Sequence, residues 1–390
     1  MKVAIITNTC YEEIVPLTKY LSKKITVDLY TVISSRGSGV SLLFEDPKFL
    51  QNKQKGTFQC NKENFSKVFQ SYIDDKFKIF VLYFKSLAYL HPTNLFTALK
   101  VSKIIKEKRY DLIHFNVLTP LVFIIKILLK DIPSVITIHD PVPHTGEDNI
   151  NKKFNNFFIK RFSNIPLIFH SKYSLNLFSD KYQSLDNHRF NYIPFGIHEW
   201  ISYYNENIHT KKNSILFFGR ISPYKGIKYL IEAGKIASEK IENIKITIAG
   251  KGQFDFDVSE LYNDSRFKII NRYIENQELA RLIASHSVIV CPYTDATQSG
   301  VLMSAYAFNK PVIATRVGNF PNIIRDNLTG FLVSPKNSIK LAEAIIKIFS
   351  TPNLINKMEK NITQDNNVGI NSWQSIAQKT YKVYRSVLEK

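Results

Sequence analysis

The sequence is short of the features that mark secreted, metal-stabilised and membrane-spanning proteins. Its 390 residues include three cysteines, Cys10, Cys60 and Cys291, which lie far apart and lack the close spacing of metal ligands. This scarcity predicts a reducing compartment and no cysteine-based metal site. No run of eighteen uncharged apolar residues occurs, because the best candidate, residues 121–129, is interrupted by a lysine. A strand-like pattern begins at once, so we expect no signal peptide and a cytoplasmic protein.

Acidic residues are also few, since 33 Asp and Glu stand against 52 Lys and Arg, for a net charge of +19. Such an excess favours an anionic partner: nucleic acid, an anionic membrane surface or an acidic substrate. Nucleic-acid binding has charge alone behind it, because only 11 of the basic residues are Arg and no recognition motif occurs. We therefore expect no nucleic-acid partner.

The basic residues are concentrated between positions 48 and 109, where thirteen Lys or Arg accompany four acidic residues. Aromatic residues lie among them: Phe77, Phe80, Tyr83, Phe84 and Tyr89. Lysine stems beside aromatic rings suit an element that lies on an anionic leaflet. A pair of soluble helices with a solvated lysine face explains the same pattern, and the residues do not decide between the two.

Alternating strand and helix patterns run along the chain and predict an α/β protein with parallel sheets. A length of 390 residues with 44% hydrophobic residues is enough for two domain cores. Early in the chain we predict strands at 2–7 and 26–33, a loop over 34–60 and two helices through Lys108. The polar stretch 196–212 is predicted to be an interdomain linker, and the end of the chain from Ser372 is predicted to be helical.

The segment 214–233, SILFFGRISPYKGIKYLIEA, combines a strand, a turn and a helix. The strand ends at Gly219 and Arg220, and a helical pattern follows from Lys225. Unpaired N–H groups at a helix start, together with the helix dipole, can hold a phosphate. Arg220 and Lys225 would add two cations at the same place. We interpret this turn as a diphosphate cradle, although two solvated cations beside an ordinary turn explain the same spacing.

A second turn of small and polar residues precedes a helix at Thr297, Gln298, Ser299, Gly300 and Val301. Its backbone N–H groups predict a second anion-binding nest. Read alone, the turn is an ordinary helix cap. Two such turns at strand ends of one sheet favour the binding interpretation.

Several segments together resemble the group 1 (family 4) glycosyltransferases. In chain order they are His139-Asp140, Phe195-Gly196-Ile197, Gly219-Arg220 with Lys225-Gly226, Ile248-Ala249-Gly250-Lys251-Gly252, Gln298-Ser299-Gly300, and Lys310-Pro311-Val312-Ile313-Ala314-Thr315 with Gly318. The resemblance covers nearly the whole chain. It implies the GT-B fold, an α/β architecture of two Rossmann-like domains whose parallel sheets face across a cleft. The implied domains are 1–195, joined by a terminal helix 372–390 that crosses back to it, and 196–371, which binds the nucleotide-sugar.

The resemblance also implies roles for individual residues. Arg220 and Lys225 match the cations that stabilise the leaving diphosphate, and His139 matches the histidine that contacts the donor sugar, with Asp140 beside it. These three, His139, Arg220 and Lys225, are the predicted catalytic residues. The predicted nucleotide-sugar-binding residues are Gly219, Gly250, Lys251, Gly252, Gln298, Ser299, Gly300, Val301 and Ser304. No metal or other cofactor is expected.

One position departs from the family pattern. Ser304 stands where most members carry the second of two glutamates, and Ala296 stands at the first. A carboxylate accepts two hydrogen bonds from a ribose diol, whereas a serine hydroxyl makes a weaker contact. A non-catalytic GT-B relative acting as a binding or scaffolding subunit is therefore the alternative function.

The leading interpretation is a retaining hexosyltransferase of cell-surface polysaccharide synthesis. It would use a UDP- or GDP-sugar and a glycan or lipid-linked acceptor. The basic surface predicts an anionic membrane partner on the inner face of the cell membrane. The oligomeric state, the sugar and the linkage are not given by the residues.

Overall fold

A computed structural model describes residues 1–34, 43–44, 56–73, 76–84, 92–117, 119–139, 164–206, 208–296 and 299–389. The chain forms two compact units, one of Met1–Phe195 with Trp373–Lys390 and one of Gly196–Ser372. Both ends of the chain therefore belong to the first unit, and the second unit is inserted between them in sequence.

The first unit is built on an eight-stranded sheet of apolar, mostly β-branched segments. Its strands are β1 (Lys2–Thr7), β2 (Thr26–Ser34), β3 (Gly56–Gln59), β4 (Phe77–Phe84), β5 (Leu112–Phe115), β6 (Ser134–Ile138), β7 (Leu167–Phe169) and β8 (Phe190–Tyr192). Their order is β3-β4-β2-β1-β5-β6-β7-β8, and every pair is parallel except β3 with β4. Near-continuous burial along β1, β5 and β6 is what a parallel sheet covered on both faces requires.

Helices of the first unit join these strands. The longer ones are α1 (Tyr11–Ser22), α2 (Pro92–Glu107), α3 (Pro120–Leu128) and α4 (Lys172–Lys181), and a single helical turn lies at Lys67–Gln70. Side-chain caps begin two of them, since Thr119 accepts a hydrogen bond from the Val122 N–H and Ser171 accepts one from the Ser174 N–H. The chain passes outward from β1 to β2 and later returns to β5 on the other side of β1. The strand order therefore reverses between β1 and β5, the kind of position where open α/β sheets bind ligands.

The second unit repeats this plan with a six-stranded parallel sheet. Its strands are β9 (Ser214–Phe218), β10 (Lys245–Ala249), β11 (Phe267–Ile270), β12 (Val288–Cys291), β13 (Val312–Thr315) and β14 (Gly330–Val333). Its longer helices are α5 (Ile227–Ala237), α6 (Asn276–Ser285), α7 (Gly300–Ala307), α8 (Ser338–Ser350) and α9 (Leu354–Val368), and a single helical turn lies at Phe320–Ile323. The sheet order is β11-β10-β9-β12-β13-β14, so the strand order reverses between β9 and β12. Turns that follow these two strands are expected to form the binding edge.

The last helix, α10 (Trp373–Leu388), belongs to the first unit and packs against α1. A buried hydrogen-bonded chain holds it there: Tyr384 Oη lies 2.7 Å from His114 Nδ1, and His114 Nε2 lies 2.8 Å from Thr137 Oγ1. Burial lowers the pKa of His114 to about 3, so its imidazole is neutral and works as a hydrogen-bonding link. The predicted terminal helix is thus present and tied to the sheet.

Two predictions in the first unit are wrong. Two helices are predicted between residue 61 and Lys108, and the structure has a short one, Lys67–Gln70, and a long one, Pro92–Glu107, but strand β4 lies between them and was missed. The run FKIFVLYF is almost wholly apolar and pairs along its whole length with β2, which favours a strand. The predicted loop over 34–60 likewise contains strand β3, which pairs with β4.

The aromatic part of the predicted membrane surface is also wrong where the structure describes it. Phe77, Phe80 and Tyr83 lie in β4, and all three are buried. Their rings pack inside the first unit and are not free to enter a headgroup layer. The side chains of Phe84 and Tyr89 lie outside the described residues.

The predicted linker 196–212 is in fact packed onto the second unit. Glu199–Tyr204 forms a 3₁₀ helix with Trp200 and Ile201 buried. Helix α6, which the sequence patterns did not indicate, contacts this turn. None of the helices in the described part of the chain is long and apolar enough to cross a membrane.

Candidate functional site

The ends of β9 and β10 run side by side at the carboxyl edge of the sheet, next to the point between β9 and β12 where the strand order reverses. The Gly219 N–H donates to Ala249 O at 3.0 Å, and the Ile221 N–H donates to Lys251 O at 3.1 Å. A Cβ on Gly250 would lie 1.8 Å from Gly219 O, so only glycine allows this approach. The turns that follow β9 and β10, with Arg220 on one and Lys251 on the other, are therefore brought together at one edge.

Lys225 does not begin the helix, as predicted, but ends a short 3₁₀ turn, Pro223–Lys225, before α5. Gly226 separates the two with a left-handed φ of 65°. A Cβ at Gly226 would lie 2.0 Å from Pro292 O, so a larger residue is excluded. The Thr294 N–H also donates to Tyr224 O at 2.8 Å. The turn that carries Lys225 is thus fixed against the end of β12.

The Lys225 ammonium lies over aromatic rings. Its Nζ is 3.8 Å from the ring centroid of Tyr293 and 4.9 Å from that of Tyr224. Burial, with a further contribution from the charge of Arg220, lowers the pKa of Lys225 to about 8, although Cys291 acts in the opposite direction. No described carboxylate is among the groups that set this pKa. Lys225 is therefore a partly buried cation without a fixed counter-charge among the described residues.

Arg220 differs from the other arginines of the second unit in its partners. The other five each form an ion pair with a carboxylate: Arg266 with Asp264, Arg272 with Glu278, Arg281 with Glu206, Arg316 with Asp326 and Arg325 with Asp365. No such pair with Arg220 exists within the described ranges, and its side chain is exposed. The two cations of the turn are therefore available to an anion from outside the protein.

Helix α7 begins next to this turn. Ser299 is its N-cap and Gly300 its first residue. The Cγ2 methyl of Val301 lies 3.5 Å from the position that a Cβ of Gly219 would take, so the α7 start borders the β9 turn. Thr297 and Gln298, the rest of the predicted nest, lie outside the described residues. The described part of the second nest is therefore adjacent to the first, and its free N–H groups are positioned for an anion.

Tyr293 and Ser299 place two buried hydroxyls in this region. They lie close enough for Ser299 to lower the pKa of Tyr293, yet the two oxygens do not meet the geometry of a hydrogen bond. Burial dominates and raises the pKa of Tyr293 well above its ordinary value. Ser222 Oγ is likewise buried and has no hydrogen-bond partner among the residues that the structure describes. Buried hydroxyls of this kind are typical of a site that contributes hydrogen bonds to a ligand.

Ser304 is buried inside α7. Its Oγ lies 3.1 Å from Nδ1 of His198, and the His198 N–H donates to Met303 O at 3.3 Å. Burial lowers the pKa of His198 to about 4, so this histidine is neutral near pH 7. Sequence reasoning missed His198, although it directly follows the Phe195-Gly196-Ile197 segment. A histidine so close to a recognised segment was the available signal.

His139 lies in the first unit, immediately after β6. Its Nε2 is 2.8 Å from Asn116 O, and its ring centroid is 5.2 Å from that of His170. Burial lowers the pKa of His170 to about 3, and the nearby His139 acts in the same direction. His139 therefore lies at the carboxyl ends of the strands, as predicted, whereas Asp140 lies outside the described residues.

Comparisons with known proteins agree with these features. The model of the glycosyl transferases group 1 matches residues 203–365, and that of glycosyltransferase family 4 matches residues 59–199. The chain belongs to the group 1 glycosyltransferases. The first match covers the β9 turn and the α7 start, and the second covers His139.

Curated relatives of the chain include glycosyltransferases that match it over different shares of its length. An uncharacterized glycosyltransferase of Methanocaldococcus jannaschii is 29% identical over 189 residues, which is 47% of each chain. A second from the same organism is 26% identical over 82% of this chain and 88% of the relative. The matches to the first four curated relatives span only 35–47% of those proteins' lengths.

Among solved structures, Anabaena HepE, crystallised with UDP, superposes with a TM-score of 0.65 at 20% identity, covering 99% of this chain and 100% of HepE. This likeness confirms the predicted GT-B fold of two Rossmann-like domains. The turns of the second unit and the residue His139 are thus parts of a group 1 glycosyltransferase.

Proposed function

We propose that the protein is a retaining glycosyltransferase that moves a hexose from a UDP- or GDP-sugar to a glycan or lipid-linked acceptor. The observation that carries the proposal is the pair Arg220 and Lys225. Both lie at the glycine-lined edge beside the α7 start, and no described carboxylate is paired with either. A site with two cations and helix N–H groups suits a diphosphate.

The chemistry of the proposed reaction assigns a task to each group. When the bond between the anomeric carbon and the diphosphate oxygen breaks, negative charge grows on the departing nucleoside diphosphate. Fixed cations and N–H dipoles in a partly buried site stabilise that charge. Lys225 would act as a point charge and Arg220 as a planar fork, with the N–H groups of Ser299, Gly300 and Val301 beside them. Because the protein supplies these charges, we propose that transfer needs no metal ion.

The ligands bound to a structural neighbour and the named activity of a relative support a nucleotide-sugar donor. HepE was crystallised with UDP and with UDP-glucose. A matched relative from Streptomyces kanamyceticus is an alpha-D-kanosaminyltransferase, 24% identical over 150 residues. The predicted contact of His139 with the transferred sugar, and the predicted binding of the nucleotide-sugar at Gly250–Gly252, remain proposals of the same kind.

An anionic membrane surface is the proposed location of the acceptor. Helix α2 supports a membrane-binding surface, whereas the aromatic rings of β4 do not, because they are buried. Leu95, Phe96 and Leu99 are 50%, 73% and 45% exposed at the start of this helix, and Lys100 and Lys103 are exposed after them. Apolar residues beside lysines suit the interface of an anionic leaflet. We propose that the protein binds the inner face of the cell membrane in polysaccharide synthesis.

Nucleotide binding provides the first test. Titration calorimetry with UDP and with GDP should show binding of one of them by the wild-type protein, and Lys225→Ala should weaken it. Lys228→Ala is the matched control, since Lys228 is an exposed lysine at the start of α5, three positions after Lys225. A screen of nucleotide-sugars for slow hydrolysis would then identify the donor, and NMR of the product would report the anomeric configuration.

The second candidate function is a non-catalytic relative that binds or scaffolds other proteins. It is favoured by the buried pairing of Ser304 with His198 at the position where most members carry a glutamate. The two functions differ in their ligands: an enzyme must bind a nucleotide, whereas the scaffold would bind neither UDP nor GDP at millimolar concentration. Binding of either nucleotide that depends on Lys225 would exclude the scaffold.

A further inference from the structure

Three potential metal ligands meet at the carboxyl edge of the first sheet. The Cys10 Sγ, a carboxylate oxygen of Glu13 and a ring nitrogen of His139 all lie within 4.8 Å of one another. Cys10 and Glu13 come from the start of α1, which follows β1, and His139 follows β6. The wide spacing of the cysteines predicts no cysteine-based metal site, but the fold brings one cysteine to ligands of other types.

The histidine is held in the tautomer that a metal site needs. His139 Nε2 lies 2.8 Å from Asn116 O, and a carbonyl oxygen can only accept, so Nε2 carries the proton. The lone pair of a neutral ring is then on Nδ1. A backbone carbonyl that fixes the second ring nitrogen is the usual arrangement around metal-binding histidines.

The backbone of α1 orients the other two ligands. Cys10 caps the helix in a left-handed conformation, with φ 58° and ψ 41°, which is unusual for a residue other than glycine. The N–H groups of Glu13 and Ile14 donate to Cys10 O, which closes the first turn tightly. The same turn therefore positions both Cys10 and Glu13.

We propose that Cys10, Glu13 and His139 bind a divalent transition metal, with Zn²⁺ as the preferred ion. A thiolate, an imidazole and a carboxylate are all zinc ligands, whereas Mg²⁺ prefers oxygen alone. In a tetrahedral zinc site the ligand atoms lie about 3.3–3.6 Å apart. Side-chain rotations that move each of these atoms by roughly 1 Å would bring them from within 4.8 Å of one another to that separation. Three protein ligands leave a fourth position open.

The consequence for turnover rests on the proposed function. His139 is the residue proposed to contact the transferred sugar, and its single lone pair cannot serve a metal and a sugar hydroxyl at once. Zn²⁺ would therefore inhibit transfer, while the diphosphate site of the second unit requires no metal. The site makes His139 sensitive to the free zinc concentration.

Cobalt absorption tests the site without any assay of activity. Co²⁺ added to the full-length wild-type protein should give the near-ultraviolet thiolate charge-transfer band, and Zn²⁺ should remove it by displacement. Cys10→Ser should abolish the band, whereas Cys60→Ser, at a buried cysteine elsewhere in the same unit, should keep it. Glu13→Gln provides a second variant, and competition with a chromophoric chelator should show a zinc affinity lower by about 10-fold or more.

The outcomes separate the metal site from the enzymatic proposal. Absence of the band in the wild-type protein, or an unchanged band in Cys10→Ser, would overturn the metal site. In nucleotide-sugar hydrolysis, Zn²⁺ should slow the wild-type protein but not Cys10→Ser, each compared with its own metal-free rate. Zinc binding at Cys10 with no effect on the rate would overturn the inhibitory role. Absence of hydrolysis before zinc is added would count against the proposed function and leave the cobalt result standing.

Discussion

Replacement of Lys225 by methionine should stabilise the protein while it weakens nucleotide binding. Burial lowers the pKa of this lysine from 10.5 to about 8, which corresponds to about 3 kcal/mol against the charged form in the folded state. The cation–π contact of the Lys225 ammonium with the Tyr293 ring, at 3.8 Å, offsets ~1–2 kcal/mol of this penalty. Methionine keeps the apolar stem without the charge, so we expect a net gain of about 1–2 kcal/mol.

The gain should appear in thermal unfolding. For a domain of this size, 1–2 kcal/mol raises the Tm by about 2–8 °C. The sign depends on pH: the charged form is penalised only while Lys225 is protonated, so the wild-type protein itself gains stability between pH 8 and 10.5. The advantage of Lys225→Met should therefore be largest near pH 7 and shrink above pH 8. Lys228→Met, at an exposed position of α5, should change the Tm little.

Nucleotide binding should move in the opposite direction. Loss of a charge-assisted contact to the diphosphate costs about 1.5–3 kcal/mol, so calorimetry should show a Kd for UDP or GDP higher by roughly 10–100-fold. Lys228→Met should bind as the wild-type protein does. A Lys225→Met variant with wild-type nucleotide affinity, or with a lower Tm at pH 7, would refute the argument. It would show that the Lys225 charge does not bind the diphosphate, or that this charge does not destabilise the folded protein.

Three further results are expected from the second unit. Nucleotide affinity of the wild-type protein should fall above pH 8, by up to about 10-fold per pH unit as Lys225 loses its proton, while Lys225→Arg should remove this dependence; a flat wild-type profile would contradict it. Gly252→Ala should lower stability in urea by ~1–3 kcal/mol, because the new Cβ would lie 2.0 Å from a backbone oxygen of Ile221; an unchanged midpoint would show that the turn can open at no cost. Ser304→Ala should cost about 1–2 kcal/mol through its lost bond to His198, yet change the nucleotide Kd by less than roughly 3-fold; a larger change would place the serine in contact with the nucleotide.

The sheet of the second unit was predictable because its strands are short apolar runs, two of which end at a glycine. Gly219 and Gly250 mark the ends of β9 and β10, and the helix patterns between them set the parallel order. The proximity of Arg220 and Lys225 followed from the same turn. What spacing alone left open was whether the two cations had acidic partners, because that depends on carboxylates brought near by the fold.

The wrong prediction of a helix at β4 arose because the lysines in this region were given more weight than its apolar strand pattern. Lysines around β4 suggested a helical surface, although FKIFVLYF is a strand that β2 and β3 enclose. His198 was missed because its partner, Ser304, is far away in sequence and only the packing of Glu199–Tyr204 on the second unit brings them together. The meeting of Cys10 with His139 has the same origin, since the sheet order places the ends of distant strands side by side.

The bond between Tyr384 and His114 has a consequence for biosynthesis. Because α10 follows the second unit in the chain, the ribosome completes the second unit before Tyr384 is available to His114. Until α10 is made, the side of α1 that it covers is exposed, and the His114 imidazole lacks its hydrogen bond to Tyr384. Chains that stop after the second unit and before α10 should contain a folded second unit and a first unit that proteases cleave.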